Sequence, residues 1–113
     1  MNEETIRQRI AAERNQADHD RREFMRWVLL LAANINRPTH STLRFLVGVV
    51  RGEYANATEM EVRRELDYLA TRNLVKVEID TLEQVSADLT RHGIDIAEYT
   101  VPVEPGIARP PKV

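Results

Sequence analysis

The sequence predicts an α+β domain, three helices followed by a two-stranded hairpin, and three observations carry that expectation. The first is a helix start. Thr58 and Glu61 stand at T-x-x-E spacing, a capping box in which each side chain satisfies a backbone N–H left free by the first turn. The second is a helix stop. Val62, Leu66 and Leu69 repeat at helical spacing, and Asn73 then follows the last turn, where a left-handed residue is wanted and asparagine replaces glycine. The third is a change of period. Residues 74–79 alternate, with Val75, Val77 and Ile79 facing one way and Lys76 and Glu78 the other; residues 84–89 alternate again, with Val85, Ala87 and Leu89 inward. The connection, residues 80–83, is short. With two helical segments ahead of Thr58, this is the order of a winged helix-turn-helix: a three-helix core plus a β-hairpin wing.

Residues 1–19 read as an N-terminal helical arm. Ile6 and Ile10 share a helical face, but nearly everything around them is charged or amide-bearing. So thin an apolar stripe does not hold a helix alone. The arm is therefore either packed on a second subunit or loosely ordered. Residues 20–100 form the domain proper. Its first helix has Phe24, Trp27, Val28, Leu31, Ala32 and Ile35 at helical spacing, the expected inner face, and Met25, Leu29 and Leu30 widen the apolar surface. A helix apolar on most sides is buried on most sides, which in so small a domain points to the arm or to another chain, and hence to a homodimer. Pro38 ends this helix, because the residue before proline avoids helical geometry.

Ser41 is the expected cap of the second helix, whose inner stripe is Leu43, Leu46, Val47 and Val50, with Phe45 and Val49 adding apolar surface. Thr90 is placed to cap a last short helix containing Ile94, Ala97 and Tyr99, in which Gly93 permits close packing on the hairpin. From residue 101 the composition shifts: four of the five prolines lie there, without periodicity. Residues 101–113 read as an extended Pro-rich tail, a solvated terminus or a docking segment.

Composition narrows function by exclusion. With 113 residues the chain builds one core. The net charge of −2 means no global positive field, so a nucleic-acid reading requires a local basic patch. There is no cysteine, which removes disulfides and thiolate chemistry and fits a reducing cytoplasm. No apolar run approaches the about 20 residues of a membrane span. His19, His40 and His92 lack metal-ligand spacing, His92 at most approaching Asp95, and no glycine-rich phosphate loop is present. Neither an enzyme nor a bound metal or cofactor is expected.

The DNA-binding reading rests on the helix that begins at Thr58, whose N-terminal half would enter the major groove. Arg63 and Arg64 lie there, and arginine binds guanine bidentately or clamps phosphate. Thr58, Tyr68 and Arg44 are candidates for backbone contacts, Arg51 and Arg72 for further phosphate contacts, and Lys76 begins the wing. Against this, residues 58–72 hold four acids (Glu59, Glu61, Glu65, Asp67) and three arginines, an interspersed pattern typical of a solvated ion-paired face. The wing shows Glu78, Asp80 and Glu83 where a phosphate-facing wing would be basic.

Residues 61–78, EVRRELDYLATRNLVKVE, are similar to the recognition helix and wing entry of many bacterial winged-helix regulators. The chain from about residue 24 to residue 112 also resembles a group of small winged-helix proteins of Mu-like phages and prophages. The resemblance lies in an L-T-x-x-G-x-D-x-A segment, here Leu89-Thr90-Arg91-His92-Gly93-Ile94-Asp95-Ile96-Ala97, and in the Gly/Pro-rich tail, here Pro105-Gly106-Ile107-Ala108-Arg109-Pro110-Pro111. It implies a phage origin and brings no activity with it. Two functions are thus expected from these residues: a non-catalytic regulator bound to double-stranded DNA, or an assembly protein whose winged helix contacts a phage protein partner.

Overall fold

Asn2 caps a helix that continues for 34 residues. Its side chain accepts from the Thr5 N–H at 2.8 Å, and α1 then runs unbroken over Glu3–Asn36. The arm and the first core helix are therefore one element in the computed structural model, which describes residues 1–113. The other elements are β1 (Ser41–Thr42), α2 (Leu43–Glu53), α3 (Glu59–Thr71), β2 (Val75–Ile79), β3 (Val85–Leu89) and α4 (Arg91–Ala97). Every residue up to Asp20 is exposed, so the first half of α1 projects from the body and stretches the molecule to 56 Å.

The core side of α1 is turned from the expected one, although Trp27 and Ala32 of the expected stripe are buried in it. Met25, Leu29 and Leu30 are at most 1% exposed, while Leu31 and Ile35 are 36% and 75% exposed. Both sides of this segment are apolar, so periodicity alone could not say which of them α3 and α4 would cover. The core closes with Leu46 and Val50 of α2, Val62, Leu66 and Leu69 of α3, and Ile96 of α4.

The sheet has three strands rather than two, in the order β1-β3-β2, all antiparallel. The unforeseen strand is only two residues long and carries no alternation. It explains why Ser41 is not the helix cap. Ser41 pairs with Ala87, is buried, and its hydroxyl accepts from Asn36 Nδ2 at 3.1 Å. Thr42 caps α2 instead, accepting from the Phe45 N–H at 3.1 Å.

The end of α3 is a Schellman motif: Leu74 N–H reaches the Leu69 carbonyl and Asn73 N–H the Ala70 carbonyl, each at 3.0 Å, with Asn73 at φ 61°. Register then follows from Val75 facing Leu89 through Ile79 facing Val85. The inward side of the wing loses burial toward its tip: Val75 and Ala87 are buried, but Ile79 is 59% exposed. Asp80 ties the tip, accepting through Oδ1 from Leu82 N–H and Gln84 N–H at 2.8 and 2.9 Å. Thr90 caps α4, accepting from Gly93 N–H at 3.1 Å. A Cβ on Gly93 would collide with the carbonyl oxygen of Leu74, so glycine is what lets α4 sit against the entry to β2.

The tail is extended but not a solvated terminus. Ile107 is buried in the core, Ala108 N–H donates to the Glu23 carbonyl at 3.1 Å, and Tyr99 Oη donates to the Pro110 carbonyl at 2.7 Å. Arg109 Nη1 donates to the carbonyls of Ile96 and Val101, both at 2.9 Å. Composition alone did not report these partners because they are backbone groups of distant elements. No helix is long and apolar enough to cross a membrane.

Candidate nucleic-acid interface

The inner stripe of α3 is Val62, Glu65, Leu66 and Leu69. At about 100° per residue the opposite side is Met60, Arg64, Asp67 and Thr71, and all four are exposed. Arg63 lies on one flank, a turn beyond Glu59. Its Nε donates to Asp67 Oδ1 at 3.0 Å, an exposed i, i+4 pair worth a few tenths of a kcal/mol and easily exchanged for another anion.

Arg64 is held differently. Its Nε donates at 3.1 Å to Oε2 of Glu65, whose side chain is 1% exposed, while the Arg64 side chain itself is 62% exposed. The other carboxylate oxygen accepts from Arg26 Nε on α1 at 2.9 Å. Glu65 is therefore a buried carboxylate between an inner and an outer arginine, not part of a solvated face. The signal was present in the sequence: Glu65 falls three residues after Val62 and one before Leu66, on the edge of the apolar stripe.

The other candidates separate into two groups. Arg44, in the first turn of α2, borders a hollow of about 280 Å³ with Thr42, Glu59, Glu83, Gln84 and Val85, so that the start of α2, the start of α3 and the base of the wing converge on it. Thr58 stands at the entry to α3, its hydroxyl oxygen occupied by the cap to Glu61 N–H at 3.1 Å. Lys76 is on the exposed side of β2, 3.3 Å from Glu78. Tyr68 is turned away from this side: its ring lies under the Arg26 guanidinium at 3.6 Å, and its hydroxyl abuts Gly106 at φ 98°. Arg51 and Arg72 are engaged structurally, with the Ala57 carbonyl at 2.9 Å and with Glu104 at 3.7 Å. His92 does not pair with Asp95; Arg91 does, at 3.5 Å.

The start of α3 is fastened to α1 by a bidentate fork, Arg21 Nε and Nη2 on the two oxygens of Glu61 at 2.8 and 2.9 Å. The Arg21 hydrogen bond holds the Glu61 carboxyl below its ordinary range, and the same bond raises Arg21. Burial raises the Tyr54 phenol, which lies under Arg21 at 4.6 Å. These groups fix where α3 starts.

No protein-family model and no curated protein sequence matches the chain. Solved structures do. MepR, a transcription regulator of the Staphylococcus aureus multidrug efflux pump MepA, superposes with a TM-score of 0.57 at 16% identity over 88% of this chain and 73% of its own. The fold is a winged helix. A mutant of MepR from a multidrug-resistant S. aureus clinical isolate gives a TM-score of 0.59 at 14% identity, over 92% and 77% of the two chains. In this winged helix α3 is the third core helix and β2–β3 forms the wing.

Proposed function

We propose that this chain is a non-catalytic DNA-binding protein, a transcription regulator that sets α3 into the major groove. The observation that carries the reading is the presentation of Arg64. It lies on the outward side of α3, its side chain 62% exposed and held through Nε by a buried carboxylate. An arginine so braced loses less freedom on contacting guanine or phosphate. Arg63 beside it exchanges Asp67 for phosphate, and Arg44 in the neighbouring hollow supplies a further backbone contact. The winged-helix likeness to MepR, a transcription regulator, supports the same reading, and the segment Leu89 to Ala97 with the Gly/Pro-rich tail supports a phage origin in a bacterial cytoplasm.

The wing favours a second reading. Ile79 and Leu82 are 59% and 78% exposed amid Glu78, Asp80 and Glu83, a surface suited to a protein such as a phage assembly partner rather than to phosphates. Titration of a labelled generic duplex at low salt separates the two. The DNA reading predicts binding that is unaffected by Leu82→Ser and weakened at every salt concentration by Arg63→Ala combined with Arg64→Ala. No binding at low salt rejects it in favour of protein contacts.

A further inference from the structure

The large apolar residues of α1 that stay exposed or only half-buried, joined by Ala17, fall on a single line. Ile6 and Ile10 lie in the free arm, Ala17 at its junction with the body, and Phe24, Val28, Leu31 and Ile35 on the body; at about 100° per residue these positions span about 60° of arc. The line is about 44 Å long at 1.5 Å per residue. Ile6 and Ile10 are each 44% exposed. On the body the line forms one wall of a groove of about 340 Å³, whose other wall is Val49 and Gly52 of α2. In its own chain the arm has nothing to lie against, and so polar a helix is marginal when it stands alone.

We infer that a second copy of this chain covers the line, α1 against α1 and antiparallel, each arm lying along the groove of its partner. The spacing is self-complementary. Setting Ile10 against the partner's Leu31 brings Ile6 onto the partner's Ile35 and the small Ala17 onto the partner's Phe24, and a two-fold axis repeats each contact. The arm segment from Ile6 to Ala17 and the groove segment from Phe24 to Ile35 each advance 11 residues, about 17 Å, so neither is left over. The axis falls between the levels of Asp20 and Arg21, so the two copies of Asp20 lie beside it on one flank. A parallel pairing would instead set arm on arm, opposing Glu13 to Glu13, and leave both grooves uncovered. A strip about 44 Å long and about 10 Å wide on each copy gives roughly 900 Å² in total, and Phe45, 41% exposed on α2, extends it toward the about 1,000 Å² of a specific interface. The axis passes beside Arg21, so the Arg21–Glu61 fork connects the pairing directly to the start of each α3. This pairing is independent of the DNA reading, and its test contains no DNA.

The absence of native cysteine makes single-cysteine variants clean reporters. Light scattering of the full chain at high concentration should give twice the 13.0 kDa chain mass, and Ile10→Asp, in an arm that touches none of the body, should give the chain mass alone. On oxidation Asp20→Cys should form a disulfide-linked dimer, since the two copies of this position lie beside the axis. Ile6→Cys should not, since its two copies lie about 44 Å apart, far beyond the about 4.4–6.8 Å between Cα atoms that a disulfide spans. A monomeric wild type, a dimer indifferent to Ile10→Asp, or efficient Ile6→Cys self-linkage overturns the inference, the first leaving the stripe to another protein and the last indicating a parallel pair.

Discussion

Arg64 and Glu65 are sequence neighbours whose side chains meet around the edge of α3, Nε to Oε2 at 3.1 Å, the one exposed and the other buried. Adjacent helical residues seldom face each other. Here the contact forms because Glu65 belongs to the inner stripe yet must satisfy a second oxygen after Arg26 has taken the first. The burial that holds α3 to α1 thus also aims the arginine that α3 offers to solvent.

Removing that carboxylate should be costly. Glu65→Ala leaves the guanidinium of Arg26, whose side chain is only 12% exposed, with the Gly106 carbonyl and the Tyr68 ring but no counter-charge. A loss of about 3–5 kcal/mol is expected in urea unfolding. The double substitution Arg26→Met with Glu65→Leu should recover most of it, because the pair is removed together. Equal instability of the two variants would show that packing, not charge, is the cause.

The Arg21–Glu61 fork makes a pH prediction. The folded Glu61 carboxyl is held below its ordinary range, so its contribution is present above the unfolded carboxylate pKa and is lost as pH falls through the folded value. Arg21 is raised, and its contribution is lost only at extreme alkaline pH. Melting temperature should fall on acidification below about pH 4.5, and the fall should be shallower in Glu61→Gln. Parallel melting curves for both proteins between about pH 3 and 7 would contradict this.

Gly93→Ala tests the seat of α4. The added methyl meets the Leu74 carbonyl oxygen, which also accepts from Thr90 N–H at 3.0 Å, so the backbone must shift. A destabilisation of about 1–3 kcal/mol is expected, read from chemical unfolding; a neutral result would mean that α4 moves away without cost.

What the sequence declared was mostly local. Thr58, Asn73 and Thr90 declare their caps within a few residues, because capping is a short-range hydrogen-bond problem, and the period change at Val75 reveals the wing. What it concealed was long-range. Nothing near Ser41 announces a pairing with Ala87, nothing near Ile107 announces a seat in the core, and a helix apolar on two sides does not say which side its own domain will take. The same limit applies to the interface. Arg63 and Arg64 were legible as exposed donors, while Glu65 as the brace of Arg64, and Tyr68 as a packing residue beneath Arg26, depended on an α1 residue far earlier in the chain.

The dependence of duplex affinity on salt tests the central claim most directly. Each phosphate neutralised by arginine or lysine contributes about 0.9 to the negative slope of log K against log salt. Binding of a generic duplex should weaken linearly on this scale, and Arg63→Ala with Arg64→Ala should flatten the slope by about 2 while weakening binding at every salt concentration. A duplex affinity that ignores salt, or a double variant with the wild-type slope, would contradict the assignment of α3 as the DNA-facing helix.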